Sequence, residues 1–567
     1  MKRRFIGIAV VVAASTAAAG AVPGIAQAAA NSLVTVGSPV TPFPQNKQNE
    51  PFVAIDPAHP RVVAAGVNDE IDVAPCDGSS CPFTAGVGTS GVYFSFNGGA
   101  TWMQPTYQGF SARSGTPGPG PIGTLPHYFE NGLVSDGDPS LAFGPQPDGH
   151  GGFSYANGSR LYYANLASNF NTVRQDFTFK GFEAIAVSHT DDPAAAAANN
   201  ASAWSGPAIV SAQKQSSATF SDKEEITADN AASSPFFGNA YVCYSRFQSV
   251  ASEPVSISVT RSTDGGNTWA KPQQLSASFN NPSVGGRQGC MVKTDSHGVV
   301  YVVWEDALNH HNVFKMSRSF DGGATFEKAF VVAPQVTDVG VFDGVRSISF
   351  DGIAGARTSS FPSLEIANGA PTGAGAPNTI ALGWSDGSDG LNHEHALVQL
   401  SSDRGQTWTA PQAVEQAGDR PDFAFFGLSP DGTDLYVVYD AFLDPFQTNT
   451  TDPRRFQGVV RHADISGTGL SNLTTLTRGG IGDGRASSAN ALIDEFIGDY
   501  NTVAATNASA VAVYNDAHNA AVCDAIDTYR QSVVNGSPGP APAPATDCPA
   551  TFGNTDIFSA TLTDPTH

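Results

Sequence analysis

The stretch SRSFDGGATF, residues 317–326, decides the fold because its pattern returns three more times along the chain. RSTDGGNTW ends at Trp269, SSDRGQTW ends at Trp408 and SFNGGATW ends at Trp102. All four fit Ser-x-Asp-x-Gly-x-Thr-aromatic, with Asn97 in place of the aspartate in the earliest copy. A recurring motif is the signature of a repeat architecture, so it has to be explained as a repeat before any one aspartate receives a function.

Strand patterns surround each copy in a fixed order. An alternating strand precedes the motif, as in SISVTRS before Asp264, and two more lie upstream, typified by YVVWED and EEITAD. The order strand A, hairpin, strand B, loop, strand C, motif, strand D describes one antiparallel four-stranded unit. We count about seven units, which begin near Glu50, Asp138, Asp222, Gly289, Phe361, Asp422 and Glu495.

Four-stranded units repeated around an axis form a β-propeller, in which the ring protects most sheet edges. We therefore predict an all-β fold, a single propeller of about seven blades over residues 31–567. The last unit has no residues left for a strand D after DIFSATL, whereas SLVTV near Val36 is a strand without a unit. We predict that an N-terminal strand near 33–37 fills this gap and closes the ring.

Within such a unit the motif is the turn from strand C to strand D. The aspartate can bind turn amides, glycine accepts a positive φ, and the final aromatic packs between sheets. The alternative makes Asp264, Asp321 and Asp403 catalytic carboxylates. Equivalent acids at equivalent turns favour the scaffold interpretation.

The start of the chain and its charge bound the location and the partners. Lys2, Arg3 and Arg4 precede an apolar run and then Ala26-Gln27-Ala28, which predicts a signal peptide over residues 1–30 and a secreted, extracellular protein. No later apolar run is long enough to enter a membrane. The net charge of −23 argues against nucleic acid and anionic lipid, and we expect a monomer.

Six cysteines in a secreted chain favour disulfides. Cys76 and Cys81 could close a tight loop, and Cys523 and Cys548 could close a Pro/Ala-rich excursion. We predict that the remaining two, Cys243 and Cys290, join neighbouring blades. A bound metal is the alternative for cysteines, but no pair has CxxC spacing.

The repeats resemble the Asp-box (BNR) repeats of sialidases and related glycan-acting propellers. The resemblance covers most of the chain as architecture, and it implies a glycan or cell-surface polymer as partner. It also implies an active site on the face opposite the Asp-box turns. The early Phe-Arg-Ile-Pro signature of sialidases is replaced here by Glu50-Pro51-Phe52-Val53, and sialidases usually have six blades.

Sialidases hold the sugar carboxylate with a cluster of arginines, because guanidinium groups bind carboxylates bidentately. Arginines precede strand A in several late units here, so the resemblance implies a substrate-binding set: Arg287, Arg357, Arg420 and Arg485. The alternative is that they form separate surface salt bridges in an acidic protein.

Sialidases also use a tyrosine nucleophile activated by a glutamate, together with an aspartate acid/base. The resemblance implies Tyr500 as the nucleophile, Glu495 as its base and Asp138 as the acid/base. The alternative for each is an ordinary loop or strand residue with satisfied hydrogen bonds.

Two pairs of histidines are candidate metal ligands. His393 and His395 could face the same way on an extended chain, but a third ligand is unassigned, and His310-His311 has the same weakness. No segment matches a calcium loop, so structural Ca²⁺ has no supporting motif, and we predict no metal and no cofactor. The predicted function is a secreted sialidase-like glycoside hydrolase, with a non-catalytic glycan- or protein-binding propeller as the alternative.

Overall fold

The computed structural model describes residues 30–170, 178–211, 218–249, 252–277, 288–343, 347–350, 357–467 and 469–566. Seven small antiparallel sheets form the seven blades of a β-propeller, which confirms the predicted fold class. The first strands of the blades, the strands A, contact one another in ring order and therefore surround the axis. The predicted signal peptide lies outside the described residues except for Ala30.

Each blade adds its strands outward in the order A, B, C, D. The bounds are, for blade 1, Gln48–Ile55, Val63–Asp69 and Ser90–Ser95; for blade 2, Ser140–Pro147, Phe153–Asn169, Ala184–Thr190 and Ala208–Ile209; for blade 3, Phe220–Ala228, Ala240–Ser249, Ser252–Ser262 and Gln273–Gln274; for blade 4, Gln288–Thr294, Val300–Leu308, His311–Ser319 and Phe330–Val336; for blade 5, Ser363–Ile366, Ile380–Asp386, His395–Ser401 and Gln412–Ala413; for blade 6, Arg420–Leu428, Asp434–Phe442, Arg455–Ser466 and Gly469–Arg478; and for blade 7, Thr502–Ala505, Ser509–Asp516, Asp556–Thr563 and Ala30–Leu33.

The remaining elements are short and lie in the connections between strands. They are the strands Tyr107–Ser111, Gly118–Ile122, Leu133–Ser135, Val341–Asp343, Ser347–Ser349 and Gly482–Asp483, and the helices Pro193–Ala197, Asp524–Val534 and Pro544–Asp547. Among the described residues, no helix has the length and apolar character needed to cross a membrane.

Blade 7 joins the two ends of the described chain. Ala30–Leu33 pairs antiparallel with the blade's strand C, with Ala30 opposite Thr561 and Leu33 opposite Phe558. The backbone N–H of Val34 then donates to the Ile557 carbonyl at 2.8 Å. The closing strand thus begins three residues before the segment 33–37 that the sequence analysis selected.

The four motif turns share one hydrogen-bond pattern. In the third-blade copy, Ser262 Oγ donates to Asp264 Oδ1 at 2.8 Å, and the N–H groups of Gly266 and Thr268 donate to Ser262 Oγ and Asp264 Oδ1. The equivalent bonds recur in the turns that start at Ser95, Ser319 and Ser401. The side chains of these acids make their hydrogen bonds inside their own turns, which favours a scaffold role over catalysis.

Three disulfides are present, and they are the pairs that the sequence analysis favoured: Cys76–Cys81, Cys243–Cys290 and Cys523–Cys548. Cys243 lies in strand B of blade 3 and Cys290 in strand A of blade 4, so this bond crosses a blade boundary. It lies in a packed layer that includes Tyr241 and Trp304. Burying such side chains contributes roughly 1.5–3 kcal/mol each, and similar layers separate the other blades.

Candidate active site at the propeller axis

Four of the strands A begin with the same β-bulge. In each, two consecutive residues lie opposite one residue of strand B, and the first of the two has a left-handed φ between 50° and 57°. These first residues are Glu50, Lys223, Gly289 and Phe423. A bulge turns a side chain away from the regular alternation of the strand, and a left-handed non-glycine residue is strained. The repeated bulge therefore aims one residue per blade at a common place.

The other three blades have an equivalent position, identified by a hydrogen bond between neighbouring strands A. Ser140 Oγ accepts from the N–H of Ile226, and Ser363 and Thr502 accept in the same way from the following blade. The residues two positions earlier are Asp138, Phe361 and Tyr500. Together the seven equivalent positions form what we call the axial ring: Glu50, Asp138, Lys223, Gly289, Phe361, Phe423 and Tyr500.

The axial ring has a polar half and an apolar half. Blades 7, 1, 2 and 3 supply Tyr500, Glu50, Asp138 and Lys223, whereas blades 4, 5 and 6 supply glycine and two phenylalanines. Gly289 has a φ of 57°, and a Cβ atom there would lie 2.3 Å from the Phe361 ring, so the position requires glycine. Phe361 and Phe423 occupy the apolar half, and the titratable side chains of the ring all lie in the polar half.

Lys223 crosses the axis to bind two carboxylates. Its Nζ lies 3.1 Å from Asp138 Oδ2 and 2.9 Å from Oδ2 of Asp499, the residue before Tyr500. Arg357 binds Asp499 bidentately, with Nε–Oδ1 at 2.8 Å and Nη2–Oδ2 at 2.6 Å. The Arg357 side chain is 48% exposed, although Asp499 is only 8% exposed. The cluster therefore reaches solvent through Arg357.

Glu50 and Asp138 form a carboxyl pair beside this network. Asn68 joins them, because its Nδ2 donates to Glu50 Oε2 and its Oδ1 accepts from the Asp138 N–H at 2.7 Å. Burial and the nearby Asp138 charge raise the pKa of Glu50 well above its usual value. Burial also acts on Asp138, but Lys223 and a hydrogen bond from Glu50 bring its pKa below the usual value. The pKa values of these two neighbouring carboxyl groups are thus displaced in opposite directions.

The surrounding groups extend the same pattern. Burial raises the pKa of Asp222 to about 6 and that of Glu224 well above its usual value. Burial would also raise the pKa of Asp499, but Arg357 and Lys223 hold it far below its usual value. Burial and the charges of Asp138 and Glu50 raise the pKa of Tyr500, whose hydroxyl has no hydrogen-bond partner among the described residues. The site therefore contains proton donors and ionised carboxylates side by side.

The structure brings three of the seven residues implied by the family resemblance to this cluster: Asp138, Tyr500 and Arg357. Glu495 is fully buried and accepts from Arg454 Nε at 2.8 Å, with Arg530 also close. Arg420 is bound through two nitrogens to Glu394, both at 2.9 Å.

The last two arginines add nothing to the cluster in the described structure. Arg485 pairs with Asp483 and Asp527, at 2.8 Å and 3.3 Å. Arg287 lies outside the described residues. Of the described arginines in the set, Arg357 reaches the axial network, whereas Arg420 and Arg485 bind carboxylates elsewhere.

Sequence reasoning missed Glu50, Lys223, Asp499 and Asn68 as site residues. The signal for the first two was available, because Glu50-Pro-Phe-Val, Asp138-Pro-Ser-Leu and Lys223-Glu-Glu-Ile align at the start of strand A. No local signal pairs Arg357 with Asp499, which lies 142 positions away.

The histidines named from sequence have other partners. His395 Nδ1 lies 2.9 Å from Glu415 and its Nε2 lies 3.0 Å from Asp389, while His393 is exposed. His310 and His311 are exposed at the turn between strands B and C of blade 4.

A cavity of about 510 Å³ lies toward the other end of the axis. Its lining comes from the middle and end of strands A, and it is mainly apolar, with Phe52, Leu141 and Phe426 as examples. Its charged lining residues include Lys293, which lies 2.9 Å from both Glu225 and Glu365. The axial ring has the richer set of titratable groups, so it is the better candidate for catalysis.

No protein-family model matches the chain, and no curated protein matches its sequence. Solved structures do resemble it at low identity. The Hadza microbial sialidase Hz136 is 12% identical, with 80% of this chain and 70% of that chain covered and a TM-score of 0.36. The Trypanosoma rangeli sialidase in complex with the inhibitor DANA is 10% identical, with 74% of this chain and 55% of that chain covered and a TM-score of 0.38.

The α-L-arabinofuranosidase Arb93A from Fusarium graminearum is 10% identical, with 75% of this chain and 92% of that chain covered and a TM-score of 0.36. The chain spans about half the length of the Trypanosoma rangeli protein. The fold rests on the strand topology of the chain itself, which is that of a seven-bladed β-propeller.

Proposed function

We propose that the protein is a glycoside hydrolase that reacts at the polar half of the axial ring. The observation that carries this proposal is a pair of neighbouring carboxyl groups, Glu50 and Asp138, which Asn68 joins, with Lys223 Nζ 3.1 Å from Asp138 Oδ2. This environment displaces the two pKa values in opposite directions, upward for Glu50 and downward for Asp138. Glycoside hydrolysis needs one carboxylic acid to protonate the leaving oxygen and one carboxylate to meet the positive charge on the sugar. Neighbouring groups whose pKa values are pushed apart are the usual acid and base assignments.

In this proposal Glu50 is the general acid that protonates the leaving oxygen, and Asp138 is the ionised carboxylate that attacks the sugar carbon as that bond breaks. A water molecule, deprotonated by Glu50, then displaces Asp138 and releases the sugar. Lys223 keeps Asp138 ionised, and Asp499 is a positioning residue that holds Lys223 and Arg357 in place. The neutral Tyr500 hydroxyl donates a hydrogen bond to the substrate. Glu495 also acts as a positioning residue, because its buried pair with Arg454 anchors the segment that carries Asp499 and Tyr500.

The charges favour a neutral sugar as substrate. The two acids whose pKa values are lowered, Asp138 and Asp499, already bind the two cations of the site, Lys223 and Arg357. The guanidinium of Arg357 is held bidentately by Asp499. A carboxylate substrate would have to displace Asp499 and would meet the negative charge of Asp138.

One observation favours a sialoside as the second candidate. Arg357 is half-exposed and lies 4.9 Å above the Phe496 ring, so its outer edge is open to an anion. Tyr500 would then attack the sugar, as in the family that the repeats resemble. Because Glu495 is bound by Arg454, a carboxylate beside Tyr500 would have to take its proton.

The test is a panel of fluorogenic glycosides, neutral pyranosides and furanosides beside a sialoside, assayed with the wild type and Asp138→Asn. We expect turnover of a neutral glycoside and its loss in Asp138→Asn, while the turn variant Asp321→Asn keeps full activity. Turnover of the sialoside alone would replace the first candidate by the second. No turnover anywhere, with binding on a glycan array, would establish the non-catalytic alternative.

The proposed setting is extracellular, with a glycan or cell-surface polymer as partner. The three disulfides support an oxidising compartment, since such bonds persist mainly outside the cytosol. Size-exclusion chromatography with light scattering tests the expected monomer.

A further inference from the structure

A second cluster of polar side chains lies at the boundary between blades 6 and 7, outside the axial ring. Asp434 and His462 belong to strands B and C of blade 6, and Asp564 directly follows strand C of blade 7. One oxygen of each aspartate and a ring nitrogen of His462 all lie within 4.8 Å of one another. His462 Nε2 is 2.9 Å from Asp434 Oδ1 and 3.9 Å from Asp564 Oδ1.

Burial and charge make this cluster unusual. The side chains of His462, Asp434 and Asp564 are 0%, 2% and 2% exposed, and Asp464 lies 3.8 Å from the same imidazole nitrogen. Three carboxylates therefore surround one imidazole. Carboxylate oxygens and an imidazole nitrogen this close together in a buried place form a ligand set that suits a divalent cation.

Tyr436 supplies an independent observation. Its side chain is fully buried, and its hydroxyl has no hydrogen-bond partner among the described residues. Its ring centroid lies 5.1 Å from that of His462. Tyr436 also lies directly opposite His462 in the pairing of strands B and C of blade 6. A buried polar group without a partner needs an explanation, and an ion with its bound water is one.

We propose that Asp434, His462 and Asp564 bind one divalent cation, with Zn²⁺ as the best fit. Imidazole nitrogen with carboxylate oxygens is a usual zinc ligand set, whereas Ca²⁺ takes oxygen ligands. A water would complete the coordination, with the Tyr436 hydroxyl as its hydrogen-bond partner. The ion would link blade 6 to the end of strand C in blade 7, the strand on which the closing strand pairs.

The test uses protein produced without the predicted signal peptide and without a histidine tag. Bound metal is removed with EDTA, and the protein is then titrated with ZnCl₂ in a calorimeter. We expect one equivalent of bound zinc and a Tm several degrees higher than that of the stripped protein. Co²⁺ in place of Zn²⁺ should give the visible absorption of a low-coordinate site. Asp564→Asn should raise the Kd at least tenfold, and His462→Gln should abolish the cobalt spectrum.

The matched control is His395→Gln, because His395 also lies between two carboxylates but outside this cluster. It should bind zinc as the wild type does. Wild-type protein that binds no zinc, or zinc binding that survives both Asp564→Asn and His462→Gln, would overturn the proposal. If His462→Gln fails to fold, Asp564→Asn and the cobalt spectrum decide alone. None of these readouts depends on glycosidase activity.

Discussion

The motif turns recur in four blades and the axial ring takes one residue from each of the seven, yet the two regions act on their acids differently. At the turns, hydrogen bonds from Thr407 bring the pKa of Asp403 to about 2. At the axis, burial raises the pKa values of Glu50 and Asp222. The turn residues are nearly identical from copy to copy, whereas the ring positions carry seven residues of six types.

This difference helps to distinguish residues that serve the fold from residues that serve a functional site in a repeat protein. A position that every copy fills alike, with its hydrogen bonds satisfied locally, serves the fold of each unit. At other positions the backbone conformation recurs from blade to blade but the side chain differs. Such a side chain can take a specialised role. Five of the seven ring residues share a left-handed φ between 50° and 57°, and three of them, Glu50, Asp138 and Lys223, carry the specialised side chains.

The largest expected effect comes from Glu50→Gln. If Glu50 is the general acid, its loss should lower kcat/KM on the substrate found in the glycoside panel by roughly 10²–10⁴-fold. Asp321→Asn should leave kcat/KM unchanged, because Asn97 already fills the equivalent turn, where its Oδ1 accepts from the Thr101 N–H and its Nδ2 donates to the Thr101 hydroxyl. Equal losses in the two variants would remove the distinction between the two regions.

Lys223→Met should destabilise the protein more than any change at a turn. It leaves Asp138 and Asp499 close together without their shared cation, and breaking a buried ion pair costs about 3–5 kcal/mol. The deficit should shrink as the pH falls toward 4, because the two acids can then take up protons. Urea unfolding at pH 7 and pH 5 measures this. Arg261→Met, which removes the hydrogen bonds from Arg261 to the Asp321 and Gly322 carbonyls at a turn, is the control.

Asp222→Asn should stabilise the protein at pH 7. The folded-state pKa of Asp222 is about 6, raised from 3.8, so its favourable contribution is present below pH 3.8 and is lost as the pH rises through 6. A neutral amide avoids that loss, for a gain of about 1–2 kcal/mol at pH 7.

Asp403 predicts the opposite sign, which gives the matched comparison. Its pKa is lowered from 3.8 to about 2, so its contribution is present above pH 3.8 and is lost as the pH falls through 2. Unfolding curves of Asp222→Asn, Asp403→Asn and the wild type between pH 3 and pH 8 test both signs. A gain for Asp403→Asn at pH 7 would contradict this account.

The smallest effect is expected at Arg404, the one non-glycine residue among the equivalent left-handed positions of the four turns, with a φ of 64°. Arg404→Gly should stabilise by about 0.5 kcal/mol, because the relief of left-handed strain exceeds the extra chain entropy of glycine. Gly98→Ala should do the reverse, since a Cβ there has open space and only the backbone conformation, with a φ of 75°, is unfavourable. Differential scanning calorimetry resolves both shifts.

Much of the fold was predictable because its signals are local. Each Ser-x-Asp-x-Gly turn and each alternating strand can be read within ten residues. That was enough to predict seven blades, with strand A beginning within two residues of the predicted start in six of them and seven residues after it in the last. The site was less predictable because its contacts are not local. Tyr500 and Asp138 follow from position in a unit, but the Arg357–Asp499 pair depends on how far around the ring two blades lie. Glu495 is near Tyr500 in sequence, yet its buried position points it to Arg454.

The pairing of the closing strand has a consequence for the order of assembly. Ser32 and Ser559 share a hydrogen bond although they lie 527 positions apart. Loops of that length close late and slowly, because their entropy must be lost before the contact returns any energy. A chain emerging from a ribosome or a translocation pore can form six complete blades before the seventh is completed by the closing strand. Before that final pairing, strand C of blade 7 is an exposed edge, and a segment Ala30–Leu33 from another copy could occupy it. Crowded expression should therefore favour strand-exchanged dimers, and dilution during refolding should favour closed rings.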